Sequence, residues 1–242
     1  VALVSGSLTK DGNGTLTLKA VNTFTGSTTV KSGKLTLEGS LAAGSTVTVA
    51  SDALLDGSGH AKGAVIMRNG ATLAPGEFGV AGCNLTTGSL LLENNSLTVL
   101  EFDPGNANDT VTITDANGLA IQSVAKVALY NKGTTTPLTT LGTYSLFQYN
   151  GALDGSPDNL VVHDPATTVL YTFFAEDGWI KVVVEAAKLK ALDVTDRTPA
   201  SARLHGEVLD VAAEAPHIWF CLDYEDKGTS ATNAWLRVEY TG

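Results

Sequence analysis

The chain has 242 residues, of which 43% are hydrophobic and 17% charged, and its net charge is −10. This hydrophobic content is enough to bury the core of one large all-β domain or of two unequal ones. The acidic balance argues against nucleic acid or an anionic membrane surface as a partner, because both would repel the chain. No apolar run is long enough to span a bilayer, so the sequence predicts no membrane insertion.

Short strands with a period of two recur along the first half of the chain. Gly-rich turn signals such as "KSGK" and "DGSG" separate them. The run Gly14-Thr-Leu-Thr-Leu-Lys returns 19 residues later as Gly33-Lys-Leu-Thr-Leu-Glu. This spacing predicts coils that stack strand on strand about 4.8 Å apart, as in a β-solenoid, with a β-sandwich or jelly roll as the alternative. The apolar strand positions are Leu16, Leu18, Val30, Leu35, Leu37, Val47, Val49, Leu54, Val65, Met67, Leu73, Leu90, Leu92, Leu97, Val99, Val111 and Ile113.

Residues 8–39, "LTKDGNGTLTLKAVNTFTGSTTVKSGKLTLEG", contain three short motifs in succession. They read L-x-K-x-G-x-G-T-L-x-L, then N-x-F-x-G-x-T-x-V, then G-x-L-x-L. In this order they resemble the autotransporter-associated β-strand repeat. The departures from the usual repeat are small: Val21 stands where Ala or Ser is common, Phe24 replaces Tyr, and Ser27 replaces a frequent Gly.

The resemblance continues through residues 54–103 and, more weakly, through residues 142–162. Cys83 falls where the family has no usual cysteine. The resemblance implies a secreted or surface-displayed passenger protein with a β-helical fold. We therefore predict an all-β chain with a right-handed β-solenoid over residues 1–187, including a C-terminal cap, and a small partial β-sandwich over residues 188–242.

The second half of the chain changes character twice. Aromatic residues and longer strands between residues 117 and 190 predict the last coils or a sheet that closes the open core. The tail then resembles the opening strands of a fibronectin-type-III-like sandwich, with strands at residues 201–208, 217–226 and 233–242. Because such a sandwich needs about seven strands, the predicted tail is only part of a domain.

Carboxylates offer little support for an active site. Glu38, Asp56, Glu77 and Glu101 follow one another at gaps of 18, 21 and 24 residues, which drift instead of repeating by whole coils. Solvated turn acids are the preferred interpretation. No nucleophile elbow is present, and we predict no catalytic residue and no enzymatic activity. The four histidines are scattered without metal or triad spacing: His60, His163, His205 and His217.

The loop "DPGNANDT" at residues 103–110 is the most metal-like passage of the sequence. Oxygen atoms of Asp103, Asn106, Asn108 and Asp109 make a weak calcium candidate, although the Gly and distal Glu of an EF-hand are missing. A turn that joins two strands is the preferred interpretation. We predict no other cofactor.

The two cysteines, Cys83 and Cys221, are too few for a disulfide framework and lack zinc-binding spacing. Two independent thiols, a bridge within the chain and a bridge between chains are all compatible with the sequence.

Taken together, these features predict a non-enzymatic extracellular structural protein, secreted or at the cell surface, that forms a β-solenoid module of a fibre or adhesin. The alternative is a carbohydrate-binding or polysaccharide-processing β-helix, in which Trp179 and Trp235 stack on surface glycans.

The unfinished tail also predicts assembly, because its outer strands leave unpaired backbone groups along an apolar sheet. The missing strands come from adjacent modules of a longer chain, or from another copy through Ala2 and Val4 of the N-terminal segment. Such head-to-tail donation would build a filament. The segment from Val1 has neither an initiator Met nor a signal-like pattern, as if an export signal were already removed or the chain began within a longer protein. The acceptor residues are Phe220, Leu222, Tyr224, Val238 and Tyr240.

Overall fold

The structure is a computed structural model that describes residues 6–186, 189–198, 201–208, 218–222 and 236–240, with side chains described up to residue 186. The chain divides into two compact units, residues 1–166 with 171–185 and residues 167–170 with 186–242.

From Leu8 to Ala186 the regular elements are β-strands and one 3₁₀ turn, Pro157–Asn159. In the described part of the chain, no helix is long and apolar enough to cross a membrane. The strands are β1 Leu8–Lys10, β2 Thr15–Leu18, β3 Thr28–Val30, β4 Lys34–Leu37, β5 Ser40–Leu41, β6 Val47–Val49, β7 Leu54–Gly57, β8 His60–Met67, β9 Thr72–Pro75, β10 Asn84–Leu92, β11 Leu97–Asp103, β12 Ala107–Asn108, β13 Thr110–Ala116, β14 Leu119–Ile121, β15 Ala125–Asn131, β16 Gly142–Asn150, β17 Asp154–Gly155, β18 Leu160–Val162, β19 Val169–Glu176 and β20 Trp179–Ala186.

Strands of successive coils pair in parallel and form a 12-stranded and an 8-stranded sheet. The 8-stranded sheet, here called face C, contains β2, β4, β7, β9, β11, β15 and β18 in that order. The larger sheet bends in β10, where the residues before Gly88 pair with β13 and the residues after it pair with β14. The bend separates face A, with β5, the first halves of β8 and β10, β13 and β16, from face B, with β1, β3, β6, the second halves of β8 and β10, β14 and β17.

The chain passes through faces B, C and A in turn, so the predicted β-solenoid is confirmed. On face C, Leu35 pairs with Leu16 of the preceding coil and with Leu55 of the following coil, at spacings of 19 and 20 residues. The coils then lengthen, to 25 residues between Leu73 and Thr98. Parallel strands are preserved throughout this growth, so the extra residues lie in the corners between strands. The right hand of the coil stays a prediction.

The core consists of ladders of residues that face inward from each sheet. Outward positions between them, such as Thr29 and Thr48, are half-buried and polar, as the alternating pattern predicts. Leu16 is only half-buried because it lies in the first described coil. The buried ladder of face B contains Val30, Val49, Met67, Leu92 and Ile121, and that of face C contains Leu35, Leu55, Leu73, Thr98 and Val127.

A change of strand direction closes face A. Strand β20 pairs with β16 in antiparallel orientation and has β19 as its other neighbour, joined by a turn at Asp177 and Gly178 with positive φ at both residues. The strands are long, nine residues in β16 and eight in β20. The closing sheet predicted from the aromatic-rich segment is confirmed by this antiparallel arrangement.

The second unit contains four further strands, β21 Leu189–Thr198, β22 Ser201–Val208, β23 Ile218–Leu222 and β24 Leu236–Tyr240. They form two separate antiparallel pairs, β21 with β22 and β23 with β24. The three strands predicted for the tail coincide with β22, β23 and β24. The fibronectin-type-III-like topology stays a prediction.

The facing of the ladders can be tested with one pair of neighbouring variants. Val49 is fully buried on face B, whereas Thr48 faces outward between Thr29 and Ile66. We expect Val49→Asp to lower the free energy of unfolding by several kcal/mol, about 3 to 5, because it buries an unpaired charge. Thr48→Asp places the same charge in water and should change stability by about 0.5 kcal/mol.

Urea denaturation followed by circular dichroism measures both variants. Equal destabilisation would contradict the assignment of the two side chains to opposite sides of the sheet. Thr36 also faces outward, but it pairs with the buried Asp56 and is therefore a poorer control.

Candidate functional site

The repeat motif begins with a lysine at an inward ladder position. Lys10 is in register with Val30, the next member of the buried ladder on face B, and is only 6% exposed. Its Nζ donates hydrogen bonds to the carbonyl oxygens of Asp11 at 3.1 Å, Gly12 at 2.5 Å and Ser32 at 3.0 Å. The ammonium therefore joins the corner after β1 to the corner after β3.

Two glycines of the repeat allow the corners to stack this closely. At Gly33, φ is +68°, and a Cβ atom would lie 2.4 Å from the Gly12 carbonyl oxygen. At Gly39, a Cβ atom would lie 2.1 Å from the Ala20 carbonyl oxygen. A side chain at either position would push neighbouring coils apart, so glycine is required here by backbone contact between coils.

The second motif contributes one buried amide and one buried aromatic ring. Asn22 is 1% exposed, and its Nδ2 donates to the carbonyl oxygens of Ala20 at 2.8 Å and Ser40 at 3.2 Å. The bond to Ala20 is the local backbone contact expected of an Asn in a corner. Phe24 is 1% exposed in the core. These motif residues hold the first two coils together.

The lysine contact predicts a measurable contribution to stability. Lys10→Met keeps the aliphatic stem but removes three charged donors from buried carbonyl groups, so we expect a loss of about 2 kcal/mol in the free energy of unfolding. Lys19→Met is the matched control, because Lys19 forms an exposed ion pair with Glu38 and should contribute less than about 0.5 kcal/mol. Chemical denaturation of both variants checks this, and equal losses would contradict the role of Lys10 as a corner donor.

The four calcium candidates have different surroundings. Asp103 forms an ion pair with Lys132 at 3.3 Å. The Asn108 amide donates to the carbonyl oxygens of Asp109 at 2.9 Å and Ser145 at 2.7 Å. Asn106 is exposed, and its backbone N–H donates to the Asp103 carbonyl oxygen at 2.9 Å in a tight turn.

This turn is a short hairpin, since β12 pairs with the end of β11 in antiparallel orientation. Among the described residues, no group of three or more His, Cys, Asp or Glu side chains is placed to hold a metal ion. Asp109, the fourth calcium candidate, belongs instead to a buried carboxylate pair.

Glu101 and Asp109 are buried to 4% and 2% exposure. The Glu101 carboxylate accepts hydrogen bonds from the backbone N–H groups of Gly79 at 2.7 Å and Gly133 at 3.1 Å. The Asp109 carboxylate accepts from the N–H groups of Cys83 at 2.9 Å and Glu101 at 3.0 Å. The pair therefore fastens two corner segments, residues 76–83 and 131–137, to the coil.

The expectation that the candidate carboxylates are solvated turn acids is wrong for two of them. Asp56 is 7% exposed and pairs with Lys34 at 2.9 Å, and Glu101 is bound by backbone amides. Glu38 and Glu77 are on the surface, as predicted. Burial of Asp56 and Glu101 is possible because a lysine or backbone N–H groups replace the lost water.

The Asp109 carboxyl has an altered acidity. Burial raises its pKa to about 6, together with the nearby charge of Glu101 and against the hydrogen bonds from backbone N–H groups. The folded protein therefore binds this proton more tightly than an unfolded chain, in which the pKa is near 3.8. The resulting stabilisation is complete below the unfolded pKa and is lost as pH rises through about 6.

We expect the free energy of unfolding of the wild type to rise relative to that of Asp109→Asn as pH is lowered from 7 to about 4. The readout is the change in this difference with pH, so a constant offset caused by the amide does not matter. Denaturation at several pH values measures it. A difference that stays flat across this range, or that shrinks towards acid, would contradict the raised pKa.

Cys83 lies beside the same carboxylates. Its thiol donates to the Val80 carbonyl oxygen at 3.3 Å, and burial raises its pKa, with Asp109, Glu101 and Glu77 adding to the rise. The sulfur is therefore a protonated thiol at neutral pH, which is the weakly nucleophilic form. The side chain of Cys221 lies outside the described residues, so the alternatives for pairing stay open.

The remaining predicted sites divide into described and undescribed residues. Trp179 is the first residue of β20, opposite Gln148 of β16, and is half-buried. Ala2, Val4, Tyr224 and Trp235 lie outside the described residues.

The other predicted assembly residues all belong to one antiparallel pair of strands. Phe220 and Leu222 are in β23, and Val238 and Tyr240 are in β24. In this pair, Phe220 is opposite Val238. The backbone thus places these four residues together, while their side chains are not described.

Comparison with known families gives one finding. Residues 8–38 match the family model of the Passenger-associated-transport-repeat, which confirms the autotransporter-type repeat predicted for this segment. The match covers β1 to β4 and includes Lys10, Gly33, Asn22 and Phe24. The repeat implies an extracellular or cell-surface role for the chain. Comparison with curated proteins gives no match.

Proposed function

We propose that the chain is a non-enzymatic structural module of an extracellular fibre or surface adhesin. Its role is to extend and display surfaces on a β-solenoid whose coils are joined by parallel strand pairing. The passenger repeat at residues 8–38 supports the extracellular setting of this role.

The observation that carries the proposal is how the buried charged side chains are used. Lys10 bonds backbone carbonyl groups, and Glu101 and Asp109 bond backbone N–H groups. A catalytic acid or base has to reach a substrate atom, whereas these groups are held by the backbone of neighbouring coils. Each of them is accounted for by the stability of the corners.

Assembly through the tail is part of the proposal. Strands β23 and β24 form a two-stranded sheet, and a sheet of this size is marginally stable by itself in water. Added strands would pair its edges and cover apolar residues such as Phe220 and Val238. The added strands come from a second copy of the chain, through the segment that contains Ala2 and Val4, or from adjacent modules.

The test compares the full chain with a variant that lacks residues 1–5. The deletion ends there because Gly6 and Ser7 pack against Gly26, and Leu8 begins β1. A second variant, Ala2→Asp with Val4→Asp, keeps the length but makes the donor segment polar. We expect light scattering and electron microscopy to show filaments for the full chain and their loss in both variants.

Circular dichroism has to show unchanged folding of the solenoid in both variants. Filaments that persist undiminished after the deletion would rule out donation by the N-terminal segment. A full chain that stays monomeric up to high concentration would contradict self-assembly, and the structural role would then depend on adjacent modules alone.

A further inference from the structure

Face A presents one continuous column of outward side chains across five strands. Phe147 and Ile180, which neighbour two of its members along the chain, are fully buried, so Gln148 and Trp179 point away from the core. At about 4.8 Å between strands, the four steps of the column cover about 19 Å. Its members, paired in register, are His60, Thr86, Thr112, Gln148 and Trp179.

Hydrogen bonds between side chains arrange the middle of this column. The Thr112 hydroxyl lies 3.0 Å from Oδ1 of Asn84 and 3.4 Å from Oε1 of Gln148. The Asn84 amide donates to the Thr86 hydroxyl oxygen at 3.2 Å. The oxygens of both amides therefore face neighbouring hydroxyl groups, which orients the Gln148 N–H groups and the Thr86 O–H outward as donors.

The column carries no formal charge at neutral pH. None of its five residues is acidic, and burial, with the charge of Lys62, lowers the pKa of His60, so the imidazole is neutral. The net charge of −10 on the whole chain further disfavours an anionic ligand. The chemistry of the column therefore matches a ligand that is uncharged and rich in hydroxyl groups.

The pairing of the strands decides against a peptide ligand. Strand β13 has β10 and β16 as neighbours, and β16 has β13 and β20, so their backbone groups are already used within the sheet. A peptide that binds by strand addition needs a free edge. Recognition on this face depends on side chains alone, and a half-buried Trp beside amide and hydroxyl groups suits the apolar face and the hydroxyl groups of a sugar.

We propose that this column is a binding site for a neutral linear oligosaccharide that lies along the solenoid axis. Trp179 stacks on one sugar ring, and Gln148, Thr112 and Thr86 bond the hydroxyl groups of the following rings. This binding activity is additional to the structural role and does not depend on assembly through the tail.

The test titrates the folded chain with three neutral glucose hexasaccharides, cellohexaose, maltohexaose and laminarihexaose, using calorimetry and NMR. We expect saturable binding of at least one of them, with shifts confined to the column on face A and absent at Thr29 and Thr48 on face B. Trp179→Ala should weaken binding at least tenfold, whereas Trp179→Phe should keep most of it. Thr48→Ala, on the other face, is the matched control and should bind like the wild type.

Gln148→Ala supplies a second variant at an exposed position, where loss of folding is not expected, and should weaken binding several-fold. No binding of any of the three sugars at millimolar concentration would overturn the proposal. Undiminished affinity of both Trp179→Ala and Gln148→Ala would also overturn it. Tighter binding of an anionic oligogalacturonate than of the neutral sugars would contradict the neutral ligand class.

Discussion

Pairing of each strand with the strand one coil away is the interaction on which the rest of the molecule depends. It fixes the face and the direction of every side chain, because a shift by one residue would turn a ladder inside out. Leu35, held between Leu16 and Leu55, can therefore only point inward. The same constraint decides where the chain can grow. Extra residues fit in the corners, where no register has to be kept, and there the later coils lengthen.

The corners in turn create buried polar backbone groups that need partners. At the N-terminal corner, the partner of three carbonyl oxygens is the ammonium of Lys10. At the enlarged corners, the partners of N–H groups are the carboxylates of Glu101 and Asp109. The sign of each buried charge matches the backbone groups that it meets. One physical problem, the closure of corners between stacked coils, thus explains charged residues that an active-site search would single out.

Much of the solenoid could be predicted from the sequence because its signal is local. The period of two predicts which side of a strand is buried, and the return of Gly-x-Leu-Thr-Leu predicts the register between β2 and β4. Burial of Asp56 and Glu101 could not be predicted in this way. Whether an outward residue meets water depends on what a corner of another coil covers, and the Gly79 and Gly133 amides that bind Glu101 lie 22 and 32 residues away. Face A was also hidden, since its inward positions include small or polar residues such as Ala61 and Thr87.

The change in coil length along the chain separates two kinds of residue. In the first coils, where the family repeat matches, a coil has about the minimum length for three strands and their corners, and the repeat residues contact the backbone of the next coil. Substitution there is limited by packing. The later coils carry the long corners, the buried carboxylates and Trp179, while the same strand register is kept beneath them. Because loops and outward columns vary without disturbing the ladders, a repeat that supplies stability at one end leaves the other end free to carry recognition.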